Sequence, residues 1–212
     1  MKNIYMMVAM LSASSVSAGG WEASRLDTSF IYKKGNYAEL SLSSMSYDIT
    51  ANAMNNANGA SPTYNNNVKT AKDQTRRVVS FKTSYDKFDI GLTSFKSGDI
   101  QMSGGAGTFL VDGTTLGGSL VPDANTPLNT LSLLGSYGVN DNINVILGVS
   151  HNKLEKGTVT TGRGKYDIVG TSSTGTIAGV AYSKPDIALR VELLFQPKSE
   201  LKTDTVYTRS VI

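Results

Sequence analysis

Histidine, cysteine and clustered carboxylates, the side chains that most often perform catalysis or hold metals, are scarce in this chain. Its 212 residues include one histidine, His151, and no cysteine, so the ligands of an ordinary zinc site are missing. A serine nucleophile would have to lie beside His151. Ser150 is its neighbour in the chain, but successive residues of a strand point to opposite faces. Neither G-x-S-x-G nor H-x-x-x-H occurs. We therefore expect no enzymatic activity and no cofactor.

Arg190 and Glu192 are the charged pair whose spacing suggests a binding role. They are two residues apart in a segment that alternates apolar and polar residues, which places them on one side of a predicted strand. The guanidinium fork of Arg190 matches the geometry of a carboxylate. Arg190 is therefore a candidate contact for a carboxylate substrate. The alternative is a water-exposed charge pair, which contributes little.

A glycine-rich connection, residues 98–126, carries large apolar side chains. Such side chains are unusual in a loop that faces water. They could gather hydrophobic molecules, or they could close one end of the fold without binding anything. The candidates for substrate contacts in this connection are Phe109, Leu110, Val111 and Leu116, with Leu120 and Val121 close by in the sequence.

The composition excludes several classes of protein. Charged residues make up 17% of the chain and hydrophobic residues 40%, with 21 glycines and 5 prolines. Without cysteine the chain is not a disulfide scaffold, and it has too little charge for a disordered chain. The net charge of +3 comes from scattered Lys and Arg, so we expect no nucleic-acid partner. The length predicts one domain, or two small ones.

The N-terminal residues 1–18 have the pattern of a secretory signal peptide. Lys2 precedes a short apolar stretch, residues 4–11, and Val16-Ser17-Ala18 forms a small-residue cleavage site. No later apolar run reaches the roughly 18 residues of a transmembrane helix. The pattern predicts cleavage after Ala18 and export of the mature chain.

Two-residue alternation of apolar and polar side chains recurs through the mature chain and predicts strands. In residues 79–85, for example, one face carries Val79, Phe81 and Tyr85, whereas Ser80 and Lys82 lie on the other. A bulge is expected near Ser43-Ser44 in the first strand. The seven predicted strands are 36–50, 79–85, 88–97, 131–139, 143–150, 175–182 and 187–196.

Short and long connections alternate between these strands. Tight turns at 86–87, 140–141 and 183–186 alternate with long polar stretches at 51–75, 98–126 and 157–174. This alternation is typical of outer-membrane barrels, in which closure leaves no unpaired strand edge in the hydrocarbon. The sequence therefore predicts an all-β, antiparallel transmembrane β-barrel of the outer membrane. Aromatic residues near strand ends fit the two interfacial girdles: Tyr37, Tyr47, Phe88, Tyr137, Tyr182 and Phe195.

The strand count leaves two possibilities open. Single-chain bacterial barrels have even numbers of strands, and an eighth strand, residues 203–212, is short and weakly patterned. The sequence ends in Arg-Ser-Val-Ile rather than on an aromatic residue. The chain is expected to supply either seven strands of a larger barrel or all of a reduced eight-stranded one.

Four stretches resemble the FadL-type long-chain fatty-acid transporters of the Gram-negative outer membrane. Residues 128–159 and 174–204 look like strand-turn-strand units of that family, the second with a Gly-Val-Ala-Tyr strand followed by an Ala-Leu-Arg-Val strand. Residues 81–95 (FKTSYDKFDIGLTSF) and 35–45 (GNYAELSLSSM) fit the positions of earlier strands.

The resemblance implies a fourteen-stranded barrel with an N-terminal plug in its lumen. Residues 19–35 would be a short plug-like segment, although the family's Asn-Pro-Ala motif is absent, and residues 36–212 would supply barrel strands. This chain would then correspond to the first half of such a barrel, as a truncated or split product. A second chain or a missing C-terminal half would complete the wall. Its other partners would be outer-membrane lipid and a hydrophobic small molecule such as a long-chain fatty acid.

The resemblance also implies lateral release of substrate through a kinked third strand, here residues 88–97. Alternation in this strand fails at Ser94-Phe95, which turns Phe95 inward, and Gly98 follows. A bulge there would leave backbone groups unpaired and open the wall. Phe95 and Gly98 are thus candidate substrate contacts. The alternative is that the strand ends and Phe95 belongs to an interfacial girdle.

The function expected from the resemblance is diffusion of long-chain fatty acids or other hydrophobic compounds across the outer membrane. The alternatives are a structural or adhesive barrel that transports nothing, a non-functional fragment, and a lipid-modifying enzyme that would depend on His151.

Overall fold

The computed structural model describes residues 21–48, 50–55, 63–69, 72–102, 109–111, 114–116, 123–161 and 164–209. The predicted signal peptide, residues 1–18, lies outside the described residues. The strands are β1 Trp21–Ala23, β2 Tyr37–Met45, β3 Thr50–Asn55, β4 Thr63–Lys69, β5 Gln74–Tyr85, β6 Phe88–Met102, β7 Phe109–Val111, β8 Thr114–Leu116, β9 Asp123–Gly138, β10 Ile143–Leu154, β11 Gly157–Thr161, β12 Gly164–Ile168, β13 Thr171–Lys184, β14 Leu189–Phe195 and β15 Thr205–Arg209. Short 3-10 helices span Ser29–Tyr32 and Pro185–Ile187.

Seven antiparallel strands form a curled sheet, a half-barrel, in the order β2-β5-β6-β9-β10-β13-β14. We call this sheet the wall. Each strand pairs with the next wall strand in the chain, so the prediction of seven consecutive strands is confirmed. Tight turns join β5 to β6, β9 to β10 and β13 to β14. The end of the wall with these turns is the turn end, and the opposite end is the loop end.

The two faces of the wall differ in the way the alternation predicts. In β9, Ser132, Leu134 and Ser136 are buried on the inner face, whereas Leu131 and Leu133 are exposed on the outer face. Each strand contributes alternate residues to the two faces because successive side chains point in opposite directions. The outer face exposes large apolar side chains on all seven strands, among them Leu40, Leu42, Phe81, Ile90, Leu92, Leu131, Leu133, Leu147, Val149, Val180, Leu193 and Phe195.

Residues 24–35, which we call the N-terminal segment, lie over the inner face of the wall. Phe30 and Ile31 are almost completely buried there, against apolar residues of the central strands. Gly91 of β6 permits this approach, because a Cβ atom at that position would lie 2.5 Å from the ring of Phe30. The wall residues in this core are Leu134, Ile146, Ile177 and Ala181.

The connections at the loop end contain strands that the sequence did not predict. β3 pairs with β4 inside residues 51–75, β7 with β8 inside 98–126, and β11 with β12 inside 157–174. β6 and β9 also reach further into the second connection than predicted, with Met102 opposite Ala124. Pairing within each connection satisfies the backbone N–H and C=O groups of these hairpin strands.

The possible eighth strand does not join the wall. Its described part, β15, pairs with β12, and the rings of Tyr166 and Tyr207 lie 4.8 Å apart across that ladder. Within the described residues, β2 and β14 each pair on one side only. Because the wall has an odd number of antiparallel strands, seven in all, its two edge strands β2 and β14 run in the same direction.

The bulge predicted near Ser43-Ser44 is wrong. β2 pairs with β5 without interruption from Tyr37 to Met45. The wall has a bulge in β6 instead, where the pairing with β9 shifts between Lys96 and Gly98. The irregular alternation of β2 therefore reflects its small polar side chains and not an extra residue.

Candidate functional site

The bulge in β6 lies where the wall meets the N-terminal segment. Ser97 is the extra residue, and β6 continues beyond it to Met102, so the strand does not end at this point. The Ser97 carbonyl accepts a hydrogen bond from the backbone N–H of Ser24, at 2.9 Å. Beyond the bulge, β1 pairs with Gly98–Ile100. The expectation that the bulge leaves its backbone unpaired is thus wrong for this carbonyl, because the N-terminal segment supplies the donor.

The ladder between β5 and β6 ends beside the bulge. Val78 opposite Phe95 is its last pair at the loop end, and residues 74–77 pair with β2 alone. On the edge of β6 that no longer pairs with β5, β1 forms its ladder only from Gly98 onward. The wall is therefore discontinuous between β5 and β6, close to Phe95.

Phe95 points inward, as its register predicts. It is 7% exposed, whereas its neighbour Ser94 is exposed on the outer face. Phe95 lines a cavity of about 490 Å³ between the N-terminal segment and the wall. The apolar lining is completed by Leu26, Ile177 and Leu194, and the polar lining is Ser24, Arg25, Ser97, Thr130, Ser132, Asn152 and Gln196.

Hydroxyl groups dominate the polar side of this cavity. Thr130 Oγ1 lies 2.7 Å from both Ser97 Oγ and Asn152 Oδ1, which links three neighbouring strands. Ser132 Oγ, in contrast, is buried and has no hydrogen-bond partner among the described residues. The cavity thus combines an apolar surface, a hydroxyl row and the cation Arg25. This arrangement suits an amphipathic molecule with an anionic end.

Arg190 and Glu192 hold the N-terminal segment at the other side of the wall. The Glu192 carboxylate accepts hydrogen bonds from Thr28 Oγ1, at 2.6 Å, and from the Tyr32 hydroxyl, at 3.0 Å. The guanidinium of Arg190 lies 4.4 Å from the centroid of the Tyr32 ring, a cation–π geometry. Burial, together with the Glu192 carboxylate, raises the pKa of the Tyr32 phenol. The phenol therefore remains a hydrogen-bond donor at neutral pH.

A second polar attachment fixes the segment near β5. Lys82 is buried on the inner face, donates to the Lys33 carbonyl and pairs with Asp89 at 2.9 Å. The segment therefore spans the inner face from β5 to β14. The sequence showed only that Lys82 and Glu192 lie on polar strand faces; their contacts with residues 28–33 depend on the tertiary structure.

Replacing Glu192 with alanine is expected to loosen the N-terminal segment. Two hydroxyl donors lose a charged acceptor, which typically costs about 1–3 kcal/mol. Hydrogen exchange of residues 24–35 should accelerate about fivefold or more, as follows from that free energy if opening is local. Mass spectrometry of peptic fragments would measure the change.

Glu200→Ala is the matched control, since Glu200 forms ion pairs only with the exposed Lys198 and Lys202 among the described residues. Equal acceleration in both variants would show that Glu192 does not hold the segment.

The remaining predicted site residues fall into two groups. Gly98 is buried in β6, opposite Leu128 and three positions from Phe95. Within the glycine-rich connection, residues 109–111 and 114–116 form a separate two-stranded sheet, β7 with β8, which contains the backbone of Phe109, Leu110, Val111 and Leu116. The structure thus brings Phe95 and Gly98 together at the bulge, places Arg190 at the opposite edge and leaves these four residues off the wall.

His151 and Ser150 lie on opposite faces of β10, as predicted. Ser150 is buried on the inner face, whereas His151 is exposed on the outer face. No three or more His, Asp or Glu side chains among the described residues are grouped so that they could hold a metal ion. The described part of the chain contains no helix with the length and apolar character needed to cross a membrane.

No family model, curated protein or solved structure matches this chain.

Proposed function

We propose that this chain forms the plug and part of the wall of an outer-membrane barrel that takes up hydrophobic compounds by diffusion, as the FadL-type transporters do. The observation that carries the proposal is the distribution of side chains on the wall. Large apolar residues are exposed on the outer face of every wall strand, whereas hydroxyl and charged groups are buried inside. Contiguous exposed apolar surface is unfavourable in water and is what the lipid-facing side of a barrel requires.

The dimensions of the outer face support a bilayer location. Along β6, the outward positions run from Phe88 at the turn end to Lys96 at the loop end. Eight residues span about 26 Å of extended strand, or roughly 20 Å across a bilayer at a usual tilt, close to the apolar band of known barrels. Exposed aromatic residues border this band at the turn end: Tyr85, Phe88, Tyr137 and Tyr182.

The cavity beside Phe95 is the proposed binding place for the substrate. Its apolar residues would contact the hydrocarbon part, and Arg25 would meet a carboxylate. The discontinuity between β5 and β6 is the proposed lateral exit. Release would require the N-terminal segment to move, because Ser24 and β1 occupy the edge of β6 at the bulge.

Closure of the barrel requires further strands. An open sheet edge is not tolerated in hydrocarbon, and β2 and β14 run in the same direction. An odd number of added antiparallel strands therefore completes the wall, from a further segment or a second chain. Two copies of this half-barrel inserted in the same orientation would bring parallel edges together instead.

The test is uptake of labelled oleate by cells that produce the chain in their own outer membrane. We expect deletion of the gene to lower uptake and the wild-type gene to restore it. Phe95→Arg, which places a second cation in the apolar side of the cavity, should fail to restore uptake, whereas Tyr85→Phe on the outer face should succeed. Normal uptake without the gene would contradict transport and leave a structural barrel as the function.

A structural barrel without a substrate is the second candidate, because Phe30 and Ile31 fill the centre of the inner face. Liposomes that contain only the purified chain test separately whether its two edge strands, β2 and β14, remain unpaired. We expect no oleate uptake above that of empty vesicles, since both strand edges lack partners. Uptake by the chain alone would mean that it closes its own wall.

A further inference from the structure

Positive charge is concentrated on the wall at the discontinuity between β5 and β6. A small cavity of about 60 Å³ at this point is lined by four cations, Arg25, Arg76, Arg77 and Lys96, and by one carboxylate, that of Asp27. Lys96 also pairs with the buried Asp99 at 2.7 Å. Among the described residues that line this cavity, basic side chains thus outnumber acidic ones.

The outer-face members of this cluster lie directly above the apolar surface. Arg77 is opposite Leu42 in the ladder between β2 and β5, and Leu42 is 67% exposed. Lys96 follows Leu92 and Ser94 on the outward register of β6. Towards the turn end, Leu40 and other exposed apolar residues continue the same surface. A single molecule could therefore meet cations at one end and apolar side chains along its length.

We propose that this surface binds an anionic lipid of the surrounding bilayer. Its phosphate would contact Arg77 and Lys96, Arg25 would approach from the N-terminal segment, and the acyl chains would lie on Leu42 and Leu40. The proposal rests on the membrane location proposed above and adds a lipid site to it. A free phosphate would use the cations alone, so the apolar surface beside them favours a lipid.

A probe beside Arg77 tests the proposal in the full chain. The chain contains no cysteine, so Thr75→Cys, at an exposed position two residues from Arg77, accepts a single bimane fluorophore. The labelled protein is extracted from the outer membrane of the producing cells together with the strands that complete its wall, and is reconstituted into vesicles that contain brominated phosphatidylglycerol or brominated phosphatidylcholine. We expect phosphatidylglycerol to quench preferentially, by about fivefold for each cation that contacts the headgroup.

Arg77→Gln in the labelled protein should reduce this preference about fivefold. Lys153→Gln is the matched control. Lys153 of β10 and Lys96 of β6 both lie opposite Asn129 of β9, on the two sides of that strand. Lys153 pairs with Glu155 at 3.0 Å and lies away from the discontinuity. Arg25→Gln provides a second test within the cluster. Circular dichroism establishes that each variant is folded.

The outcomes separate the lipid site from the membrane location. Insertion without a preference for phosphatidylglycerol, or a preference unchanged by both arginine variants, overturns the lipid site alone. Abolition of the preference by millimolar inorganic phosphate assigns the cluster to free phosphate and overturns the lipid as its occupant. Absence of the chain from the outer-membrane fraction of the cells that produce it overturns both this inference and the membrane location.

Discussion

Replacing Leu147 with lysine is expected to destabilise the chain in a bilayer by about 2–4 kcal/mol, the usual cost of a cation near the middle of the lipid-facing surface of a barrel. Leu147 is 62% exposed on the outer face of β10 and lies well inside the apolar band. The same substitution in water would remove an exposed apolar side chain and cost little. The chain is reconstituted into phosphatidylcholine vesicles together with the strands that complete its wall, and urea unfolding followed by circular dichroism measures the difference.

His151→Lys is the matched control for this experiment. His151 lies on the same strand and face, four residues closer to the loop end, where a cation costs about 0–1 kcal/mol. A large loss for Leu147→Lys and a small one for His151→Lys would support a bilayer around the outer face. Equal stability of the two variants would contradict the membrane location.

Replacing Phe30 with alanine is expected to lower the free energy of unfolding by about 3–5 kcal/mol, the usual cost of removing a buried phenyl ring. Phe30 is 2% exposed and packs against Gly91 and the apolar centre of the inner face. The cavity left by its ring cannot collapse easily, because the wall strands are held by their ladders. Urea unfolding of wild type and variant in the same lipid measures the effect.

Ile31→Val provides a graded control, since Ile31 is fully buried in the same cluster and the change removes one methylene, worth about 0.5–1.5 kcal/mol. Phe30→Ala, which loses more unfolding free energy than Ile31→Val, should also accelerate hydrogen exchange of residues 24–35. Loss of less than 1 kcal/mol for Phe30→Ala would contradict a packed N-terminal segment.

Much of the wall could be predicted from local sequence. The alternation in residues 79–85 and 131–139 depends only on which side chains follow one another, and the turn at 86–87 joins neighbouring strands. Strand number, strand order and the assignment of faces follow from these short-range features. The inward position of Phe95 and the opposite positions of Ser150 and His151 follow for the same reason.

The contacts of the N-terminal segment could not be predicted in this way. Thr28 and Tyr32 bind a carboxylate 160 or more residues away in the sequence. Nothing in the alternation of β14 indicates which hydroxyl groups Glu192 accepts. For Arg190 the local sequence likewise indicates a carboxylate ligand or a water-exposed charge pair, whereas the structure places its guanidinium against the ring of Tyr32.

The position of the bulge and the pairing partner of β15 also could not be predicted from local sequence. Weak alternation suggested a bulge at Ser43-Ser44, but pairing with β5 keeps that strand regular, and the extra residue is Ser97. β15 pairs with β12 instead of β14.

The sequence by itself thus determined the seven wall strands and their two faces, because side-chain alternation is a property of adjacent residues. The tertiary structure decided which edge each strand meets, where the ladder shifts and what covers the inner face. Those outcomes depend on competition among distant backbone and side-chain partners, which local patterns do not record.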